Sequence, residues 1–134
     1  MAVQLSTAVR NARLDQVETT IGAAPLLRIH TGAMPADCAA AASGTKLVEI
    51  TLPSDWMAGA SGGSKSKSGT WSAAAVATST GGYWRIYDAS GSTCHLQGTV
   101  TATGGGGDMT LDNTSITSGQ TVTVTTFTLT DANA

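Results

Sequence analysis

Residues 83–101, YWRIYDASGSTCHLQGTVT, are the stretch that decides the fold. The segment 83–88 is rich in aromatic and β-branched side chains, a composition typical of a strand. The segment 89–92, ASGS, contains the small, flexible residues of a turn. Residues 94–101 then alternate, with Cys94, Leu96 and Val100 on one face and polar side chains on the other. Together these three segments predict a β-hairpin.

Further strands are predicted on both sides of this hairpin. Residues 26–31 (LLRIHT) and 46–52 (KLVEITL) alternate between apolar and polar side chains, as half-buried strands do. Residues 61–68 are rich in Gly, Ser and Lys, and we expect them to form an exposed loop. About eight short strands at this spacing indicate a mainly β fold, a jelly-roll-like β-sandwich over residues 25–134.

The last strand, TVTVTTFTLT, changes the parity of its apolar residues. Val122 and Val124 stand at even positions, whereas Phe127 and Leu129 stand at odd ones. Since a strand that keeps one apolar face cannot change parity without an inserted residue, we expect a β-bulge at residues 125–126. The alternative is a strand that is covered on both faces.

One helix is predicted, over residues 5–21, within an N-terminal segment that covers residues 1–24. Ser6 is a suitable N-cap, Gly22 a suitable C-cap, and Pro25 prevents the helix from continuing.

The apolar residues of this helix form two faces rather than one stripe. One face contains Val3, Leu14, Val17 and Ile21, and the opposite face contains Leu5, Ala8, Val9 and Ala12. Each apolar face needs a separate partner to cover it. We therefore expect the C-terminal half of the helix to pack on its own domain and the N-terminal half to bind another chain. The alternative is an irregular amphipathic helix with a frayed first turn.

The composition narrows the class of protein. Only 12% of the residues are Asp, Glu, Lys or Arg, against about 25% in a typical soluble domain. A surface with few charges is easily covered by another protein, because burying an unpaired charge is costly. The net charge of −2 and the lack of a basic run argue against nucleic-acid binding. No segment is apolar enough for a membrane span or a signal peptide, so we expect synthesis in a cytoplasm.

No constellation of residues points to catalysis, so the sequence predicts a protein that is not an enzyme and holds neither cofactor nor metal. The two histidines, His30 and His95, lie on predicted strands outside any catalytic motif, and we expect both to be solvated or hydrogen-bonded. Asp108 and Asp112 lie near a glycine run but lack the order of a calcium loop.

The two cysteines, Cys38 and Cys94, could pair in principle. A reducing compartment argues against a disulfide, and the favoured interpretation is that both are small apolar residues.

The aromatic residues are the one set with potential for ligand binding. Tyr83 and Tyr87 share a face of their strand, and Trp56 lies on a less regular segment. Such side chains fill a core, anchor a protein interface or stack on sugar rings. If they formed a surface, Tyr83, Tyr87 and Trp56 would be its candidates.

The order of several segments resembles small structural proteins of tailed bacteriophages and prophages. These segments are LSTAVRNARLD, LLRIHTGAMP, LVEITLPSDW, YWRIYDASGS and DMTLDNTSITSGQTVTVTTFTLT. Similar proteins include jelly-roll capsid cementing, or decoration, proteins, which sit on the capsid exterior and tie neighbouring major capsid proteins together.

The resemblance implies a non-enzymatic virion protein made in the host bacterial cytoplasm. It would bind the phage major capsid protein as a homo-oligomer, a dimer or trimer, over junctions between capsid subunits. The candidate contact residues are Leu5, Val9, Ala12, Phe127 and Leu129. The alternative function is a receptor- or glycan-binding module of a head fibre or tail, with the aromatic residues as its platform.

Overall fold

The structure, a computed structural model, describes residues 3–131, so residues 1–2 and 132–134 of the two predicted segments lie outside the described residues. Helix α1 (Thr7–Ile21) is followed by strands only. The strands are β1 (Leu26–His30), β2 (Lys46–Thr51), β3 (Ser64–Ser66), β4 (Ser72–Ala74), β5 (Ser79–Thr80), β6 (Tyr83–Tyr87), β7 (Cys94–Ala102), β8 (Met109–Leu111), β9 (Ser115–Ile116) and β10 (Thr121–Thr130). The predicted mainly β fold with an N-terminal helix is confirmed.

The strands form one large curled sheet and one small one. The large sheet has the order β2-β1-β6-β7-β8-β10-β3, with β4 also paired to β10, and the small sheet pairs β5 with β9. All pairings are antiparallel except β7 with β8. The Val76 N–H donates to the Leu47 carbonyl at 2.7 Å, so the chain after β4 meets edge strand β2. The sheet thus folds over itself into a sandwich around one core.

The hairpin and the bulge are both confirmed. Strands β6 and β7 pair antiparallel, with Trp84 opposite Gly98. In the pairing of β10 with β8 the register shifts between Val124 and Thr126. Val124 and Phe127 are therefore both buried although their positions differ in parity.

The core is built around a chain of aromatic contacts. Trp71 lies between Trp56 and Phe127, with ring centroids 6.0 Å and 5.5 Å away. Trp84 meets Phe127 edge-on at 5.1 Å, a preferred arrangement for aromatic pairs. Phe127 therefore joins the indole of Trp84 in β6 to that of Trp71, the residue just before β4.

The caps of helix α1 match the sequence. The Ser6 side chain accepts a hydrogen bond from the Val9 N–H at 3.2 Å, and Gly22 ends the helix with φ +89°. The helix begins at Thr7, two residues later than expected, because Ser6 is its N-cap. Within residues 3–131, no helix combines the length and apolarity needed to cross a membrane.

The predicted exposed loop at 61–68 is wrong in part. Ser64–Ser66 form strand β3, which pairs with β10, and the Lys65 side chain is buried. In residues 56–60, Met57 forms an isolated β-bridge with Lys67 rather than part of a strand. Because of short strands such as β3 and β5, residues 3–131 contain ten strands rather than the expected eight.

Candidate interaction surface

The N-terminal half of helix α1 exposes apolar side chains. Ala8, Val9 and Ala12 are exposed, and Leu5, just before the helix, is half-buried. We call these four residues the N-terminal apolar face. Val3 is 77% exposed, so its expected place beside Leu14 is wrong, because the helical periodicity starts only at Thr7.

The opposite face of the helix packs on the domain. Leu14 and Ile21 are buried, and Val17 packs against the core cluster that includes Ile21. The C-terminal half of the helix therefore packs on its own domain.

Polar contacts hold the N-terminal half of the helix in place. Arg10 donates to the Asp131 carbonyl at 3.1 Å, and Arg13 forms an ion pair with the Asp131 carboxylate at 3.2 Å. The Gly63 N–H donates to the Asn11 side chain at 2.9 Å. The apolar face is thus fixed in orientation by contacts made on the other side of the helix.

A buried lysine completes this attachment. The Lys65 amine lies 2.7 Å from Asp15 and 2.8 Å from Glu18. Burial by itself lowers the pKa of Lys65, but hydrogen bonds to the two carboxylates outweigh it and raise the pKa above its ordinary value. Hydrogen bonds from Lys65 and from the Ala60 N–H lower the pKa of Asp15. Both partners therefore stay ionised at neutral pH.

Half of the few charged residues are paired with one another. The chain has seven Lys or Arg and nine Asp or Glu. Five ion pairs among the described residues form three groups: Arg13–Asp131, Arg28–Glu49–Lys46 and Lys65–Asp15–Glu18. Arg85 is buried beneath the loop between β1 and β2, where it donates to the Asp37 carbonyl at 2.9 Å. Unpaired surface charge is therefore sparser than the composition alone indicates.

The candidate aromatic surface of Tyr83, Tyr87 and Trp56 is not a surface. Tyr83 and Trp56 are fully buried, and Tyr87 is 8% exposed. The loop between β1 and β2 covers Tyr83, whose hydroxyl donates to the Ser43 carbonyl at 2.6 Å. The Arg28 guanidinium lies 4.5 Å from the ring centroid of Tyr87.

The remaining aromatic residues, Trp71, Trp84 and Phe127, are also buried. None of the six Trp, Tyr and Phe side chains of the described residues is free to stack on a sugar. The geometry therefore gives the glycan-binding alternative no platform.

The candidate contacts on β10 differ from each other. Phe127 is 2% exposed and lies in the aromatic core, so its expected role at an interface is wrong. Leu129 is half-buried and lines a shallow groove together with Leu96. Residues two apart on a strand share a face, so after the bulge both side chains point towards the core. Leu129 is only partly covered there, because it lies next to the end of the strand.

His30 is neither solvated nor hydrogen-bonded as expected. It is 6% exposed, and neither ring nitrogen has a hydrogen-bond partner among the described residues. Its ring stacks on Tyr83 at 5.2 Å. Burial, followed by the positive charges of Arg85, Arg28 and Lys46, lowers the pKa of His30.

The two acidic residues near the glycine run accept hydrogen bonds from backbone N–H groups. The Asp108 carboxylate accepts hydrogen bonds from the N–H and hydroxyl of Thr99, at 3.0 Å and 3.1 Å. The Asp112 carboxylate accepts from the Thr123 N–H at 3.2 Å. Among residues 3–131, no group of three His, Cys, Asp or Glu side chains is placed to hold a metal ion.

Sequence reasoning missed Lys65, because a lysine between serines gives no local sign of burial. The available signal was the pair Asp15 and Glu18, three residues apart on the half of the helix that packs on the domain. Two carboxylates at such a position need a cation to balance their charge.

Comparison of the chain with protein-family models, curated proteins and solved structures finds no match.

Proposed function

We propose that this chain is a non-enzymatic virion structural protein of a tailed phage or prophage. It binds the capsid exterior and clamps neighbouring major capsid subunits. The observation that carries the proposal is the fixed N-terminal apolar face. Its exposed members Val9 and Ala12 lie on a helix whose other side is anchored by the core and by ion pairs. A surface held in one orientation loses little conformational entropy on binding.

The distribution of charge supports the same function. Half of the charged side chains, eight of sixteen, are engaged with one another in ion pairs, so a partner that covers this surface leaves few charges unpaired. Each contact then needs to bury only a modest interface area, because a copy of this chain that binds two or more capsid subunits gains avidity. Many such clamps together oppose the outward pressure of packaged DNA.

The nature of the partner is proposed from the resemblance of the segment order to capsid decoration proteins. The working form is a dimer or trimer of this chain, placed over junctions between capsid subunits. The residues proposed to contact the capsid are Leu5, Val9 and Ala12, with Leu129 at the edge of the β10 groove.

The test is co-sedimentation of the purified chain with empty shells assembled from the major capsid protein of the same genome. The informative variant is Val9→Glu, which puts a charge on the apolar face. Val9 is the third residue of the helix after Ser6, so a glutamate there completes a capping box and favours the helix. We expect wild-type protein to sediment with the shells and Val9→Glu to stay in the supernatant.

Val76→Glu is the matched control, because Val76 is an exposed valine on the β-domain. We expect it to bind like the wild type. If wild-type protein does not bind shells, the decoration function is wrong. If Val9→Glu binds at full occupancy, the function stands but the proposed contact face is wrong.

A further inference from the structure

The two cysteines lie in contact although they are 56 residues apart in the chain. Cys38 is in the loop between β1 and β2, and Cys94 is the first residue of β7. Their sulfur atoms are 2.6 Å apart. Non-bonded heavy atoms normally keep about 3.5–4.0 Å, whereas a disulfide bond measures about 2.05 Å. The two thiols are thus closer than ordinary packing brings two side chains.

The surrounding contacts fix this approach. Next to Cys38, the Asp37 carbonyl accepts a hydrogen bond from buried Arg85 at 2.9 Å. The Gln97 side chain donates to the Pro35 carbonyl at 2.8 Å. Both donors belong to the β6–β7 hairpin on which Cys94 lies. These two hydrogen bonds therefore attach the loop to the hairpin close to Cys38 and Cys94. The contact between the two sulfur atoms is thus held by the fold.

We propose that Cys38 and Cys94 are a redox modification site that closes to an intramolecular disulfide in an oxidising environment. The contact between the two cysteines is independent of the proposed capsid function. The expectation that both cysteines are only small apolar residues rested on the compartment of synthesis. The folded chain can meet an oxidising environment after synthesis, and the contact between the sulfur atoms allows a disulfide to form there.

The oxidant is a low-molecular-weight disulfide such as oxidised glutathione. A protein thiolate attacks one of its sulfurs, a mixed disulfide forms, and one molecule of reduced thiol leaves. The second cysteine then attacks the protein sulfur of the mixed disulfide and releases the second thiol. The protein loses two electrons and two protons, and the small disulfide is reduced to two thiols.

The order of attack follows from the surroundings of Cys94. Burial and the hydrogen bond with Cys38 raise the pKa of the Cys94 thiol to about 12. Since the thiolate is the attacking form, Cys38 is expected to attack first and Cys94 to close the bond.

The experiment equilibrates the full chain with reduced and oxidised glutathione in varied ratios, followed by acid quenching, alkylation in denaturant and intact mass measurement. We expect a folded monomer that has lost two hydrogens, carries no glutathione and resists alkylation. A peptide map without reductant should link the peptides that contain Cys38 and Cys94. The same titration in concentrated urea should require a glutathione ratio about 100-fold more oxidising, because only the fold holds the thiols together.

Single variants separate the two steps. Cys94→Ser should stop at a mixed disulfide on Cys38, whereas Cys38→Ser should accumulate less glutathione on Cys94. Two alkylated thiols or two bound glutathiones on the folded wild type at every ratio would overturn the proposal. Equal midpoints in native buffer and in urea would overturn it as well, since the fold would then contribute nothing to the pairing.

Discussion

The amine of Lys65 in strand β3 is buried against the carboxylate of Asp15 in helix α1, with 2.7 Å between nitrogen and oxygen. This pair joins the N-terminal segment to the far edge of the large sheet, because β3 pairs with β10. The helix is therefore held by a specific polar contact as well as by apolar packing.

Removing the buried amine should weaken the whole domain. We expect Lys65→Ala to lower the free energy of unfolding by about 2 kcal/mol, because it removes the packed stem of the lysine and two charge-assisted hydrogen bonds. Urea unfolding followed by tryptophan fluorescence measures the change. Lys67→Ala is the control, since Lys67 is half-buried and donates to the Gly69 carbonyl. An equal loss in both variants would mean that the burial of Lys65 contributes nothing.

A methyl group added at Gly98 should disturb the aromatic core. A Cβ at Gly98 would lie 2.6 Å from the Trp84 indole, which packs on Phe127. We expect Gly98→Ala to cost about 2 kcal/mol through displacement of Trp84, as overpacking does. The measurements are urea unfolding and the near-ultraviolet circular dichroism of the tryptophans. Gly59→Ala is the control, because a Cβ there meets nothing within 4 Å, and it should leave both unchanged.

Features set by neighbouring residues could be predicted from the sequence, whereas contacts between distant residues could not. The hairpin, the helix caps at Ser6 and Gly22, and the bulge after Val124 follow from residues next to one another. The burial of Lys65 and the meeting of Cys38 with Cys94 join residues 50 and 56 positions apart. Local patterns of apolar and polar residues carry no information on such pairs.

The aromatic strand β6 shows the same limit. Every residue of β6 is buried, including the face that carries Tyr83, Arg85 and Tyr87. Alternation normally identifies one covered face of a strand. The second cover is the loop between β1 and β2, which is rich in alanine and gives no pattern of its own. The sequence therefore left an aromatic surface open as an alternative, where the structure has a second buried layer.

The stability of the protein should fall in mild acid because of His30. Its pKa is lowered in the fold, whereas in the unfolded chain it is about 6.5,. The unfolded state therefore binds the proton more readily, and stability is lost as the pH falls from about 6.5 towards the lower pKa of the folded state. His30→Phe keeps a ring beside Tyr83 but cannot titrate.

We expect the loss of stability between about pH 6.5 and pH 5 to be smaller in His30→Phe than in the wild type. Urea unfolding at a series of pH values measures it. The control is Gly59→Ala, where a Cβ meets nothing within 4 Å; it keeps His30 and should keep the wild-type slope. If stability fell as steeply with pH in His30→Phe as in the wild type, the burial of His30 would not be the cause of the loss of stability between about pH 6.5 and pH 5.

The two faces of helix α1 should respond oppositely to substitution. Leu14 is 6% exposed and Val9 is 45% exposed, so Leu14→Ala should cost about 3 kcal/mol by leaving a cavity. Val9→Glu should instead leave stability unchanged or raise it by up to about 1 kcal/mol, because it adds a capping box with Ser6. Urea unfolding at several protein concentrations measures both. A large, concentration-dependent loss in Val9→Glu would mean that this face is already buried between copies of the chain, so that it serves self-association rather than a capsid.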